Sequence, residues 1–163
     1  MQDEPAQMTP KAEIHEKKIM LCVWWDYKGI LYFELLSRNQ TINSNVYVQR
    51  LVKLSDAVQE KRPELTNRKD VVFQHDNAKP HTSLVTHKKL LELSWYVLSH
   101  PPYSRDLVPS DYHLCRSTQS SLNDTIFHDA DDVVSHLIQL FAGKNQKFYG
   151  HGIMTLPERW QKV

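Results

Sequence analysis

The stretch over residues 71–81 constrains the fold more than any other part of the chain. It opens with Val71, Val72 and Phe73, which favour a strand over residues 71–74. Asp76 follows, and Pro80 then fits only a turn or the first turn of a helix, predicted over about residues 81–93. Residues 94–98 favour a further strand. The order strand, helix, strand predicts a parallel pair with a crossover helix, and hence an α/β fold.

A β-hairpin is predicted ahead of this unit. Residues 19–25 form a continuous apolar run, which is typical of a strand buried on both faces. Residues 30–36 are rich in β-forming side chains and predict its partner strand. The four residues 26–29 predict the connecting turn, which makes Asp26 a turn residue.

Helices are predicted in the rest of the chain. Thr41 or Asn43 can cap a helix that runs to about Lys61, before Pro63 stops it. One apolar stripe at helical spacing follows that cap: Tyr47, Leu51, Leu54 and Val58. Ser110 is a predicted N-cap for a helix over residues 111–122, and Asp129 is one for the next helix. The tail over residues 148–160 predicts one or two short helices.

Composition restricts the function. The chain has 163 residues, enough for one domain, which we assign to residues 19–163 after a flexible N-terminal arm over residues 1–18. That arm lacks the apolar segment of a signal peptide, and no apolar run is long enough to span a bilayer. The net charge is only +1, so any nucleic-acid contact needs a local patch. The four glycines form no nucleotide-binding motif, and Cys22 and Cys115 favour a reducing compartment over a disulfide.

Two carboxylates are the candidate functional groups. Asp76 is predicted at the end of a strand, and Asp111 follows it, with 34 residues between them, at the start of a helix. Two ionised carboxylates repel each other unless a cation lies between them, and oxygen ligands favour Mg²⁺ or Mn²⁺ over Zn²⁺. Such ions activate a water or a 3′-hydroxyl in phosphodiester chemistry. The alternative is purely structural, with Asp76 in a turn and Asp111 in a first helical turn.

Several motifs resemble those of mariner transposases. Residues 75–81 read HDNAKPH and closely resemble the family motif HDNARPH. Residues 103–114 read YSRDLVPSDYHL and resemble YSPDLAPSDYHL, at the family's interval of 34 residues between its second and third catalytic aspartates. Residues 20–26 match the strand MLCVWWD, residues 61–63 match KRP, and residues 152–160, GIMTLPERW, resemble GIHKLPERW. The resemblance covers roughly residues 5–163.

The resemblance implies a fold and a function. The fold is an RNase H-like (retroviral-integrase-like) mixed sheet flanked by helices. The activity is cut-and-paste DNA transposition that depends on Mg²⁺ or Mn²⁺, in a dimer bound to DNA, in the nucleus. Asp76 and Asp111 take the second and third metal-ligand positions. Lys79, His81 and Arg105 lie beside them in the sequence and are candidates for contacts with DNA phosphates.

The sequence also departs from the family pattern. It contains no GDE-type motif for the first catalytic aspartate, so we expect it to begin after the strand that carries that residue. Neither Asp26, which matches the family's hairpin aspartate, nor the acids of the arm replace it. Arg105 stands where the family has proline. Without its central first strand, the sheet either closes up or leaves a strand edge exposed.

With two of three carboxylates, we expect weak or absent strand cleavage by this chain alone, and reduced metal affinity. The alternative function is a non-catalytic DNA-binding or dimerisation module derived from a transposase. A third interpretation is a decayed gene product without a stable core.

Overall fold

The described chain begins with the predicted β-hairpin. The computed structural model describes residues 19–36, 40–68 and 71–162, so the predicted arm over residues 1–18 lies outside the described residues. Strands β1 (Met20–Asp26) and β2 (Gly29–Leu36) pair antiparallel. The connection is shorter than the four residues predicted, because Asp26 already pairs with Gly29, whose φ of +144° favours glycine. The Asp26 carboxylate accepts hydrogen bonds from the backbone N–H groups of Lys28 and Gly29, so Asp26 is a turn residue, as predicted.

Helix α1 (Ser44–Lys61) packs on the hairpin and is capped as predicted. The side chain of Asn43 accepts a hydrogen bond from the Val46 N–H at 2.9 Å, and the whole predicted apolar stripe is buried. At the other end, the Arg62 guanidinium makes two hydrogen bonds to the Asp26 carboxylate, at 2.7 and 2.9 Å. Pro63, predicted only to stop α1, begins a further short helix, α2 (Pro63–Arg68).

The predicted strand–helix–strand unit is present with a broken crossover. Strand β3 (Val72–Phe73) pairs parallel with β4 (Tyr96–Val97), which confirms the parallel pair. The single helix predicted over residues 81–93 is wrong, because the chain forms α3 (Lys79–Thr82) and α4 (Leu84–Glu92) around an extended Ser83. The Ser83 hydroxyl accepts a hydrogen bond from the Thr86 N–H, which caps α4 and makes the break.

Short turns and four helices complete the described chain. A 3₁₀ turn (Arg105–Leu107) and a π-helical turn (Ser110–Leu114) lead into the helices α5 (Cys115–Asn123), α6 (Ala130–Gly143), α7 (Gln146–Met154) and α8 (Leu156–Gln161). Asp129 caps α6, as predicted. Ser110 is not an N-cap, because its hydroxyl accepts a hydrogen bond from Trp25 Nε1 at 2.9 Å. None of the helices in the described ranges is long and apolar enough to cross a membrane.

The hairpin lies between two apolar cores. Trp24 packs against the core that α1, β3 and α4 share, whose buried members include Leu51, Phe73 and Leu90. The neighbouring Trp25 packs against a second core, formed by α6, α7 and the π-helical turn. Both faces of β1 are therefore covered, as predicted, although its side chains stay half-buried or exposed.

The two strand pairs do not join into one sheet. Within the described residues, β1 pairs only with β2, and β3 pairs only with β4. Of the two outcomes expected, closure does not occur among the described residues, where β1 and β3 each keep an edge that no described strand pairs. Val72 and Tyr96, paired in register across β3 and β4, stay 64% and 67% exposed.

Gly152 offers a test of how α7 is packed. A Cβ atom added there would overlap the His113 ring and lie 2.9 Å from the Trp25 ring, whereas one added at Gly143, the last residue of α6, would meet no atom within 4 Å. We expect Gly152→Ala to lower the free energy of unfolding by about 1–3 kcal/mol through overpacking. Gly143→Ala should leave it unchanged or raise it by up to about 1 kcal/mol. Urea unfolding measures both, and equal effects would contradict the packing described here.

Candidate active site

Asp76 and Asp111 line the same cavity. Its volume is about 610 Å³, and its wall is formed by eight residues: Asp76, Arg105, Asp106, Asp111, Tyr112, Cys115, Arg116 and Arg159. The parallel pair carries Asp76 to one side, just beyond β3, and the π-helical turn carries Asp111 to the other. The structure therefore brings together the two acids that the sequence singled out.

Asp76 is held in place by its own turn. Its Oδ1 atom accepts a hydrogen bond from the Ala78 N–H at 3.0 Å and lies 2.6 Å from Nδ1 of His81. Burial acts to raise the pKa of Asp76, but the Ala78 hydrogen bond and the adjacent His81 outweigh it and hold the pKa below its usual value. Asp76 is therefore ionised at neutral pH. Its Oδ2 atom accepts no hydrogen bond from any described residue, which leaves one oxygen for a ligand.

A stack of aromatic rings supports His81. The His81 ring lies 5.2 Å from that of His75 and nearly parallel to it, and 4.2 Å from that of Tyr47. The Tyr47 hydroxyl lies 3.0 Å from His75 Nδ1. Burial lowers the pKa of His75 to about 4, so this ring is neutral and its Nδ1 can accept a hydrogen bond from the Tyr47 hydroxyl. Because Tyr47 belongs to the α1 core, the stack ties Asp76 to that core.

The helices α7 and α8 hold the turn that bears Asp111. The Tyr112 hydroxyl donates a hydrogen bond to the carbonyl of Gly152 in α7. The Arg159 guanidinium lies 3.8 Å from the centre of the Tyr112 ring and also donates to the carbonyl of Asp106. These contacts fix the backbone on both sides of Asp111.

Asp111 differs electrostatically from Asp76. Burial raises the pKa of Asp111, Arg105 lowers it, and the negative charge of Asp76 raises it again. The net effect is a pKa above the usual value. Ionised Asp111 therefore needs a positive charge more than Asp76 does.

The donor set suits a water-rich divalent cation. Mg²⁺ is commonly bound by one or two carboxylates, with waters and phosphate oxygens completing its shell. Asp76 Oδ2 and the Asp111 carboxylate can provide that pair. Within residues 19–36, 40–68 and 71–162, no third histidine, cysteine, aspartate or glutamate joins them in a metal-binding group.

The other candidate residues have separate locations. Arg105 lines the cavity. His81 instead supports Asp76, and Lys79 is exposed at the start of α3, outside the cavity wall. Arg116 and Arg159 also line the cavity, although neither is a predicted site residue. Arg116 lies five residues after Asp111 and Arg159 lies in the segment GIMTLPERW, but neither position indicates by itself that the side chain reaches the cavity.

Known proteins are similar to this chain in sequence and in fold. A family model described as transposase (partial DDE domain) matches residues 1–68. The Mariner Mos1 transposase of Drosophila mauritiana is 46% identical over 160 residues, which are 98% of this chain and 46% of that protein. The chain thus spans about half the length of this relative.

Solved structures match equally well. The Mos1 transposase catalytic domain with raltegravir and Mn aligns with a TM-score of 0.86 and 47% identity, covering 90% of this chain and 74% of that one. The Mos1 paired-end complex with the left transposon end gives a TM-score of 0.87 and 45% identity, covering 98% of this chain and 46% of that one. These matches confirm the RNase H-like α/β fold. The chain belongs to the mariner transposase family and corresponds to part of its catalytic domain.

Proposed function

We propose that this chain binds a divalent metal ion between Asp76 and Asp111 and directs it at DNA phosphodiester bonds. The observation that carries the proposal is the shared cavity, which brings together two acids far apart in the sequence. The family supports it, because the Mos1 catalytic domain has been solved with Mn. The reaction would be the strand cleavage and strand transfer of cut-and-paste transposition.

The proposed roles follow from the contacts. Asp76 Oδ2 and the Asp111 carboxylate hold Mg²⁺ or Mn²⁺, while His81 and Ala78 keep Asp76 ionised and oriented. A metal ion held there would supply activation of a water or a 3′-hydroxyl and stabilisation of the leaving oxygen. Arg105 contacts the DNA phosphate from the cavity wall, and Lys79 contacts the backbone from outside it.

We further propose the setting of this chemistry. Transposon DNA is the partner, since the Mos1 paired-end complex contains a transposon end, and a homodimer is the proposed assembly. The nucleus is the proposed location, because it holds the DNA. The cavity that Asp76 and Asp111 share does not favour the non-catalytic alternative. Cleavage should nevertheless be weak, since no third carboxylate of the described residues joins Asp76 and Asp111 in a metal-binding group.

Metal binding provides the direct test. Mn²⁺ titration, followed by water-proton relaxation, should show a site whose affinity falls at least about tenfold in Asp76→Asn, because that change removes a charged ligand. Asp124→Asn removes an equal charge from an exposed residue outside the cavity wall and should leave the affinity unchanged. Equal Mn²⁺ affinity in the two variants would refute the metal site.

Strand cleavage is tested separately. A nicking assay on supercoiled DNA with Mg²⁺ should show little cleavage by this chain, because a two-carboxylate site positions the ion poorly. Robust Mg²⁺-dependent nicking that disappears in Asp76→Ala would show that two carboxylates suffice and would overturn the expectation of weak activity.

The two acids should affect stability in opposite ways when EDTA is present. The raised pKa of Asp111 means that its charge costs stability at neutral pH and that this cost disappears as the pH falls. The lowered pKa of Asp76 means that its charge adds stability at neutral pH, which is lost as the pH falls through that pKa. At pH 7, Asp111→Asn should raise the melting temperature and Asp76→Asn should lower it, each by about 1–2 °C, since both side chains stay partly exposed. Calorimetry at pH 7 and pH 3 checks both signs, and a shift of the same sign in both variants would contradict the assignment.

A further inference from the structure

Arg105 and Arg116 are two uncommitted guanidinium groups on the wall of the cavity. Arg105 belongs to the 3₁₀ turn before Asp111, and Arg116 lies in α5 after it. Both residues are exposed, and no described carboxylate lies within 4.0 Å of either guanidinium. Their donors are therefore free to bind a ligand that enters the cavity.

Three other arginines of the described chain are already engaged. Arg50 is buried against Glu34, with Nε 3.0 Å from the carboxylate, and Arg62 binds Asp26. Arg159 also lines the cavity, but its guanidinium lies over the Tyr112 ring. Among the arginines of the cavity wall, Arg105 and Arg116 thus have guanidinium groups that are free to bind a ligand.

The charges of the wall allow an anion to approach without a metal. Three aspartates line the cavity, but three arginines line it as well, so the formal charges cancel. A guanidinium binds two phosphate oxygens through parallel hydrogen bonds, a geometry that a lysine ammonium lacks.

We propose that Arg105 and Arg116 form a metal-independent grip for a DNA phosphodiester beside Asp111. The proposal uses the cavity of the proposed function, but it needs no metal ion in it. The DNA backbone binds first through the two arginines, which lie on either side of Asp111 in the sequence. Arg105 replaces the proline of the family motif, so this half of the grip is a feature of this chain.

The test measures DNA binding in EDTA. Fluorescence anisotropy with a labelled duplex, from about 50 to 200 mM salt, gives the affinity and the slope of log K against log salt concentration. Each of Arg105→Ala and Arg116→Ala should weaken binding about three- to tenfold and reduce the slope by about 0.9, and the double variant by about twice that. Arg105→Lys should keep the slope, because the charge remains, while losing part of the affinity.

The matched control is Arg68→Ala. Arg68 is an exposed arginine of α2 that does not line the cavity, so its removal should change neither affinity nor slope. An Arg68 effect as large as the others would show general surface charge and overturn the proposal. So would wild-type affinity in the cavity variants, or DNA binding only when Mg²⁺ is present. Urea unfolding confirms that each variant is folded.

The metal titration keeps the two proposals apart. Arginine-dependent binding in EDTA, without any Asp76-dependent Mn²⁺ site, would sustain the phosphodiester grip and refute the metal site. The opposite pair of results would leave the metal site intact and refute the grip.

Discussion

The packing of two neighbouring tryptophans on opposite faces of β1 determines how the two halves of the site meet. Trp24 stacks on Tyr32 and packs into the core that contains Phe73, just before Asp76. Trp25 faces the other way, donates a hydrogen bond to Ser110 and stacks on His113, on either side of Asp111. The ladder register shifts between Trp24 and Trp25, and the two side chains pack into different cores, so one short segment contacts the supports of both carboxylates.

The two acids are supported in chemically different ways. Asp76 is stabilised as an anion by hydrogen bonds at one oxygen, through a ring stack that reaches into the α1 core. Asp111 has burial and a neighbouring negative charge against it, with Arg105 as partial compensation. A bound cation and the guanidinium of Arg105 would therefore both stabilise the negative charge of Asp111. A fixed positive charge such as Arg105 can neutralise a carboxylate in place of a metal ion. It does not provide the Lewis acidity of the metal.

Contacts between residues close in the sequence could be predicted from it, and contacts between distant residues could not. The caps Asn43 and Asp129 follow from side-chain hydrogen bonds over three residues, and the hairpin follows from its apolar pattern. The two acids were found because each ends or begins an element. Ser110 was misassigned because its partner, Trp25, lies 85 residues away, a contact that no local pattern reports. The position of Arg159 over Tyr112 was hidden for the same reason.

The divided sheet makes the site depend on side chains rather than on backbone pairing. In an unbroken sheet, ladder hydrogen bonds set the spacing between neighbouring strands at about 4.8 Å. Here no described ladder joins β1 to β3, so the cores on either face of the hairpin, together with the Trp25–Ser110 contact, set the separation of Asp76 and Asp111. A cation or a phosphodiester bound between these parts would add the cross-link that the backbone lacks. Because such a ligand binds only the folded arrangement, its binding energy would add to stability as well as to function.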